Sequence, residues 1–407
     1  MRWKQSPFDT QELVDCIIWH IDHAPGQSKQ DLLTCALVAR LWTYPAQSCI
    51  FRQLLWGRID LTYRWPLLRR ALRSAPYLVQ HIRRLSIFRR TQSTNLSDSF
   101  SDMCTFPFTH LEHADVSLPR MHSPMPVQYV LAARQLFGLT TLRSVAIYWS
   151  MSSDDAQLFH RLWELCSPSI KHLELNLRGV YHPPPKSAPR RSQTPVIFLE
   201  SLHIFTNHSL EHVLDATPFS LGQLNKLSVL SLALFTEPII WHSFAPSLQS
   251  VQYLAFGVEV RVLGSYDTPS NPVFKYGETP ASIDLSLLPN LVVLGIWFDC
   301  HSEDDPAETA LKVLSGINAA HQISTIILRT DGFVSSVCEK LDAKLSSLPM
   351  RQPPIVVLDM DAKVVCSRWR QHMPTLCSSN LASFFLCFDE QFLCLHPINS
   401  FAVRSRT

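Results

Sequence analysis

The sequence predicts an α/β chain: a three-helix N-terminal unit, then a solenoid of alternating strands and helices around a parallel sheet. Three observations predict it. The pattern apolar-x-x-apolar-x-apolar recurs from Ile82 to Met360 at a near-constant spacing. Segments of helical period lie between several of its copies. Before the first copy, helix-like segments are punctuated by Pro25-Gly26 and Tyr44-Pro45.

The N-terminal segment is organised around Leu32–Trp42, in which only Thr34 is polar between Leu32 and Ala39. A helix apolar nearly all the way round must be buried nearly all the way round. A unit of roughly 50 residues cannot do that alone, so the surplus apolar face points to a partner, either another chain or the rest of this one. A first helix is expected over 12–23, where Leu13, Ile17 and Ile21 form one stripe and Val14 and Ile18 another. Pro25-Gly26 ends it. Ser28 with Asp31 starts the central helix, and Tyr44-Pro45 stops it. Pro45 then opens a third helix carrying Cys49, Ile50, Phe51, Leu54, Leu55 and Trp56. Residues 57–81 read as a basic helical connector stopped by Pro76.

The repeats follow over 82–379, about ten of them, with 380–407 as a C-terminal cap and tail. Their copies are Ile82/Leu85/Ile87, Leu111/Ala114/Val116, Leu142/Val145/Ile147, Ile170/Leu173/Leu175 and Leu199/Leu202/Ile204. Next come Leu227/Leu230/Leu232, Val251/Leu254/Phe256, Leu291/Leu294/Ile296, Ile323/Ile326/Leu328 and Ile355/Leu358/Met360. The first residues are 29, 31, 28, 29, 28, 24, 40, 32 and 32 apart. Alternation at the end of each copy marks a strand, and helical runs at Gln128–Phe137, Ala156–Cys166, Pro306–Ala320 and Phe333–Ser346 lie between copies. One strand and one helix per unit is a leucine-rich-repeat-like arrangement. An ordinary α/β domain with parallel strands would alternate similarly. Polar or Pro-rich stretches at Ser93–Asp102, Tyr181–Pro195 and Gly264–Ser282 read as loops. The apolar Asn380–Phe401 would cover the terminal repeat.

Composition bounds the function. The 407 residues suit about two or three domains, or one domain plus an array. Hydrophobic residues at 46% against 17% charged make a core-forming composition. A net charge of +2 points to neither nucleic acid nor an anionic membrane. The 11 Gly form no G-x-G-x-x-G, no Walker loop and no nucleophile elbow, which counts against those enzyme classes; no catalytic activity and no cofactor are expected. The 11 Cys are scattered without C-x-x-C, mostly in apolar runs. With no signal-like N-terminus and no apolar run of membrane-span length, a cytoplasmic or nuclear location is expected. His110/His113 with Glu112, His208/His212 with Glu211, and His20/His23 have ligand-like spacing but lack a third ligand. Ser302–Asp305 reads as a helix start, and the Arg69, Arg70, Arg73, Arg83, Arg84, Arg89, Arg90 run as a solvated face.

The N-terminal residues also carry a resemblance. Glu12-Leu-Val-Asp-x-Ile-Ile, Asp31-Leu-Leu-x-Cys-Ala-Leu-Val-x-Arg-x-Trp42 and Ala46…Phe51-Arg-x-Leu54 resemble the F-box of fungal, basidiomycete-type F-box proteins over residues 8–56. The Leu-Pro that usually precedes the Glu is absent here. The resemblance implies docking onto the Skp-type adaptor of a cullin–RING ubiquitin ligase, through Leu13, Val14, Ile17, Leu33, Leu37, Val38 and Trp42. Several of these are expected to stay exposed, as a patch on the order of several hundred Å². The concave repeat face would then hold a protein substrate. Strand alternation points Arg84, Phe88, His113, Asp115, Tyr148, His172, Glu174, Asn176, His203 and Phe205 to that face, with Tyr253, Trp297, Arg329, Asp359 and Asp361 from later units. Its histidines are expected to make binding sensitive to pH near neutrality. The alternative is a repeat scaffold whose F-box-like helices pack internally and bind no adaptor.

Overall fold

The computed structural model describes residues 11–23, 29–56, 61–87, 96–118, 127–151, 156–179, 197–206, 219–231, 248–258, 285–298, 306–318, 321–330, 335–350, 355–361, 373–375 and 382–387. They form an α/β chain with parallel sheet strands, divided into two compact units, Met1–Leu224 and Asn225–Thr407.

The first unit begins with helices α1 (Gln11–His23), α2 (Lys29–Val38) and α3 (Arg40–Arg52). Val14, Ile18, Leu32 and Ala46 form their core, with Ile21, Cys35, Ala36, Leu41, Trp42, Cys49 and Ile50 packed on it. Polar ties hold the three ends together. The Lys29 ammonium donates to the Ile50 and Gln53 carbonyls at 3.1 and 3.4 Å, at the negative end of the α3 dipole. Arg52 pairs with Asp22 at 3.1 Å. The chain breaks between α2 and α3 at Ala39, which is extended (φ −158°, ψ 159°). The Thr43 hydroxyl donates to the Ala36 and Ala39 carbonyls at 3.0 and 3.2 Å across that break.

Two expectations are corrected here. The central helix ends at Val38, six residues before Tyr44, and Pro45 lies inside α3. The third helix stops at Arg52, and Gln53–Trp56 is a strand, β1, with Leu54 beside Leu85 and Trp56 beside Ile87. Four residues extended beside a sheet edge satisfy their backbone groups there, and that outweighs the helical reading of Leu54–Trp56.

Helix α4 (Leu61–Ser74) and a 3-10 turn over Pro76–His81 follow. Strand β2 (Arg84–Ile87), α5 (Leu96–Cys104), β3 (His113–Leu118), α6 (Val127–Phe137), β4 (Ser144–Met151), α7 (Ala156–Leu162), β5 (His172–Gly179) and β7 (Ser201–Thr206) continue the unit. Strands β1, β2, β3, β4, β5 and β7 pair in that order, all parallel. The short β6 (Ile197–Phe198) and β8 (Phe219–Ser220) pair with each other. On the helix side Trp149 of β4 meets Phe159 of α7, which meets Trp163, which in turn meets Phe137 of α6 and Phe219, all with ring centroids between 5.1 and 5.9 Å. The expected polar loop at Ser93–Asp102 is helical from Leu96 onward, because Phe100, Met103 and Cys104 supply a buried stripe.

In the second unit β9 (Lys226–Ser231), β10 (Tyr253–Val258), β11 (Val293–Phe298), β12 (Thr325–Thr330), β13 (Ile355–Asp361) and β14 (Ala382–Cys387) pair in chain order, again all parallel. Helices α8 (Pro306–Ser315) and α9 (Ser335–Ser346) lie between strands. Strand β14 falls within the apolar Asn380–Phe401, so that segment contributes an added strand at the end of the array.

The register explains the repeat. Ile82, Leu111, Leu142, Ile170, Leu199, Leu224, Val251, Leu291 and Ile323 are each at most 2% exposed. Three residues on, Leu85, Ala114, Val145, Leu173 and Leu202 share one row, and Leu227, Leu254, Leu294, Ile326 and Val356 share another. Two frames are thereby corrected. The sixth copy begins at Leu224 rather than Leu227, and Val356, not Leu358, stands opposite Ile326. Leu224, Leu227 and Leu230 allow either frame by spacing alone, and Ile355–Leu358 is apolar throughout, so alternation is silent there. Ile355, expected in the core, is 51% exposed. The Tyr181–Pro195 and Gly264–Ser282 loops lie outside the described residues.

Gly295 of β11 sits against Ala255 of β10. A Cβ built on it would lie 2.9 Å from the Ala255 Cβ and 3.3 Å from its Cα. Gly295→Ala is expected to destabilise the protein by about 1–3 kcal/mol, read as a lower denaturant midpoint, and Ala255→Gly in the same chain should recover part of the loss. His81, buried in the 3-10 turn, meets the Tyr44 ring of α3 edge-on at 4.7 Å. Burial, with Arg83 and His110 nearby, holds its pKa below the usual 6.5. The unfolded chain therefore takes up a proton near pH 6.5 that the folded chain resists, so stability falls as pH drops below that value. His81→Phe should lose less melting temperature between pH 7.5 and pH 5.5 than the parent chain.

Candidate functional site

In the first unit alternation sends one set of strand residues away from the helices, and the register arranges them in rows. Arg84, His113, Ser144, His172 and Ser201 make one row, and Ser86, Asp115, Ala146, Glu174 and His203 the next. Ser117, Tyr148, Asn176 and Phe205 make a third. With strands about 4.8 Å apart and alternate residues about 6.6 Å apart, neighbouring side chains in this lattice can touch. Nine of the ten residues expected at a substrate face therefore share one surface, and Phe88 lies outside the described residues.

At one end of this face the Arg84 guanidinium donates through Nε and Nη2 to Oδ2 of Asp115, at 3.1 and 2.9 Å. The Ser86 hydroxyl donates to the same oxygen at 2.6 Å. Three donors converge on one carboxylate oxygen whose side chain is 10% exposed. Ser86, itself buried, was legible as the residue between Leu85 and Ile87 but was not among the expected site residues. His113 lies beside Arg84, with its Nδ1 enclosed. Burial first, and the Arg84 charge second, push its pKa below the ordinary value, partly offset by Glu112 and Asp115. The same causes move its protonation to lower pH than that of an ordinary imidazole.

At the other end the Tyr148 hydroxyl donates to Oε1 of Glu174 at 2.7 Å. Asn176 lies between Tyr148 and Phe205 in the third row, and His203 beside Glu174 in the second. All five side chains are half-buried. The second unit is different. Its corresponding middle row, Ser228, Ala255, Gly295 and Ile327, is small or apolar and buried. Lys226 lies over the Tyr253 ring at 5.6 Å. Trp297, Arg329 and Asp359 share a register row, and Asp361 follows two residues after Asp359.

The N-terminal helices carry a second surface. Leu32, Cys35 and Ala36 of α2 face the small core, while Leu33, Leu37 and Val38 are 45%, 87% and 63% exposed. Leu33 and Leu37, four apart, share one helix face. Trp19 of α1 is also exposed. Of the other residues expected at an adaptor surface, Leu13, Ile17 and Trp42 are half-buried. Val14 is fully enclosed and is a core residue, because Val14 and Ile18, with Ile21 packed beside them, face the core, and Leu13 and Ile17 stay half-buried. Helix α2 therefore keeps a surplus apolar face that the three-helix core does not enclose, and Leu33, Leu37 and Val38 stay exposed as expected.

The remaining candidates resolve as structural pairs. Arg69 and Arg73 hold Asp102 at 2.6 and 3.0 Å, and Arg83 holds Glu112 at 3.0 Å. Among the described residues no group of three His, Cys, Asp or Glu could hold a metal ion. His208, Glu211, His212, Ser302–Asp305, Arg89 and Arg90 lie outside them. No helix among them is long and apolar enough to cross a membrane.

No protein-family model matches this chain, and no curated protein matches it.

Removing Asp115 leaves the Arg84 charge and the Ser86 hydroxyl unpaired in a largely buried place. Asp115→Ala is expected to cost about 2 kcal/mol in chemical denaturation. Arg84→Met added to it should cost much less than Arg84→Met alone, since the two changes break one network.

Proposed function

We propose that this chain is a non-catalytic substrate-recognition subunit of a Skp–cullin–F-box-type ubiquitin ligase, acting in the cytoplasm or nucleus. In this reading α1–α3 are an F-box-like unit that docks the Skp-type adaptor. The strands and helices that follow are a leucine-rich-repeat-like solenoid. Its face away from the helices holds a protein substrate.

One observation carries the reading. Helix α2 spends one stripe on the small core and leaves Leu33, Leu37 and Val38 to solvent. Exposed aliphatic side chains clustered on one short helix favour association, at about 25 cal/mol per Å² of apolar surface removed from water. The attachment of α1–α3 to the repeats runs through α3 and β1, which leaves this face available. That counts against the scaffold alternative, in which α2 packs internally. A receptor of this kind does no bond chemistry; it raises the effective concentration of its substrate near the conjugating enzyme.

Leu37→Asp with Val38→Asp is expected to abolish capture of a Skp-type adaptor while changing melting temperature by no more than a few degrees, because neither side chain supports the core. Adaptor capture undiminished in that variant would overturn the docking assignment. Tyr148→Ala with Phe205→Ala should remove substrate capture and leave adaptor capture intact.

A further inference from the structure

The polar face of the first unit has an uneven charge. The Arg84 and Asp115 charges cancel in a closed ion pair, and Ser86 completes the bonding of the shared oxygen. The rim ion pairs Arg83–Glu112 and Lys171–Glu200 are likewise closed, at 3.0 and 3.7 Å. Glu174 is different. Among the described residues its hydrogen-bond partner is the neutral Tyr148 hydroxyl, on Oε1, and no described cation is paired with it. It is half-buried, so its charge is less screened than on an open surface.

Glu174 also has aromatic neighbours in a fixed arrangement. Asn176 is two residues along the same strand, hence on the same face. The register places Tyr148 on one side of Asn176 and Phe205 on the other. The two rings therefore stand about 9.6 Å apart at their backbones, two strand spacings, with a shorter polar residue between them. That spacing fits an extended side chain whose cation is drawn both to ring faces and to a carboxylate.

We propose that this face anchors a protein partner through a lysine or arginine side chain seated over Asn176, with its charge at Glu174 and its stem between Tyr148 and Phe205. The inference rests on the reading of this face as the substrate surface and adds the chemistry of the residue it selects. An acidic or phosphorylated segment is disfavoured, because the Arg84 cation is already matched by Asp115 while the Glu174 carboxylate would repel it.

The test uses the full chain without adaptor, and saturation-transfer NMR with acetyl-Ala-Arg-Ala-amide, the same tripeptide with citrulline, and the same with glutamate. The arginine peptide should bind with a dissociation constant of about 1 mM, as one anchoring side chain allows. Citrulline, which keeps the shape and loses the charge, should bind at least tenfold more weakly. Glu174→Gln should weaken the arginine peptide at least tenfold, whereas Tyr148→Phe, which keeps the ring, should retain it. Glu174→Lys should lose the arginine peptide and gain the glutamate peptide, a gain that misfolding cannot produce. Equal binding of arginine and citrulline peptides, equal binding to parent and Glu174→Gln chains, or no transfer to the arginine peptide would each overturn the proposal. Adaptor capture is not read in this experiment, so failure of the ligase assignment and failure of the anchor are separate results.

Discussion

At the start of successive strands a single carbonyl accepts two amide N–H groups from the start of the next strand. Arg83, Glu112, Arg143 and Lys171 do this in the first unit, and Asn225, Gln252 and Val292 in the second, with bonds between 2.8 and 3.2 Å. This shared contact sets the parallel register, because it leaves one way for each strand to begin against its neighbour. A one-residue slip would turn every buried Leu, Ile and Val to the opposite face. Within each unit, the enclosed apolar strand residues, and in the first unit the polar lattice behind them, are consequences of that register.

Where the array begins, strand geometry is imposed on a sequence that reads as helix. The Arg83 amide donates to the Arg52 carbonyl at 2.9 Å, in the manner of the later strand starts, and β1 pairs with β2. The N-terminal helices are thus fastened to the sheet edge through the end of α3 and β1, and β1 pairs the β2 edge that would otherwise offer unpaired backbone groups. Their own core is small, and α2 has more apolar surface than that core can enclose. The exposed Leu33, Leu37 and Val38 follow from that shortage.

The two sheet faces divide the labour. On the helix side the core of the first unit is dominated by rings, Trp149, Phe159, Trp163 and Phe137 among them. On the other side one ion pair is closed and one carboxylate is left with a neutral partner. A surface of this kind combines rigidity at Arg84–Asp115 with a recognisable charge at Glu174. Burial is also the main cause that lowers the pKa of the neighbouring His113.

Much of this was legible in the residues. Apolar spacing fixes which strand residues are buried, and alternation fixes which face the other way, so the common face of Arg84, Asp115, Tyr148, Glu174 and Phe205 followed from sequence. Local pattern failed where it was degenerate: Leu224, Leu227 and Leu230 are equally spaced, and Ile355–Leu358 has no polar residue to mark a face. It also failed where a distant partner decided the outcome. Gln53–Trp56 is a strand because β2 lies beside it, and Val14 rather than Leu13 is enclosed because α2 and α3 converge on that stripe. The pairing of Asp115 with Arg84 and Ser86, and the isolation of Glu174 from any described cation, depend on which side chains meet across strands some thirty residues apart in sequence. The sequence by itself determined the alternation and the faces; the tertiary structure decided the partners, because hydrogen bonds and ion pairs depend on distances between segments that spacing along one segment does not contain.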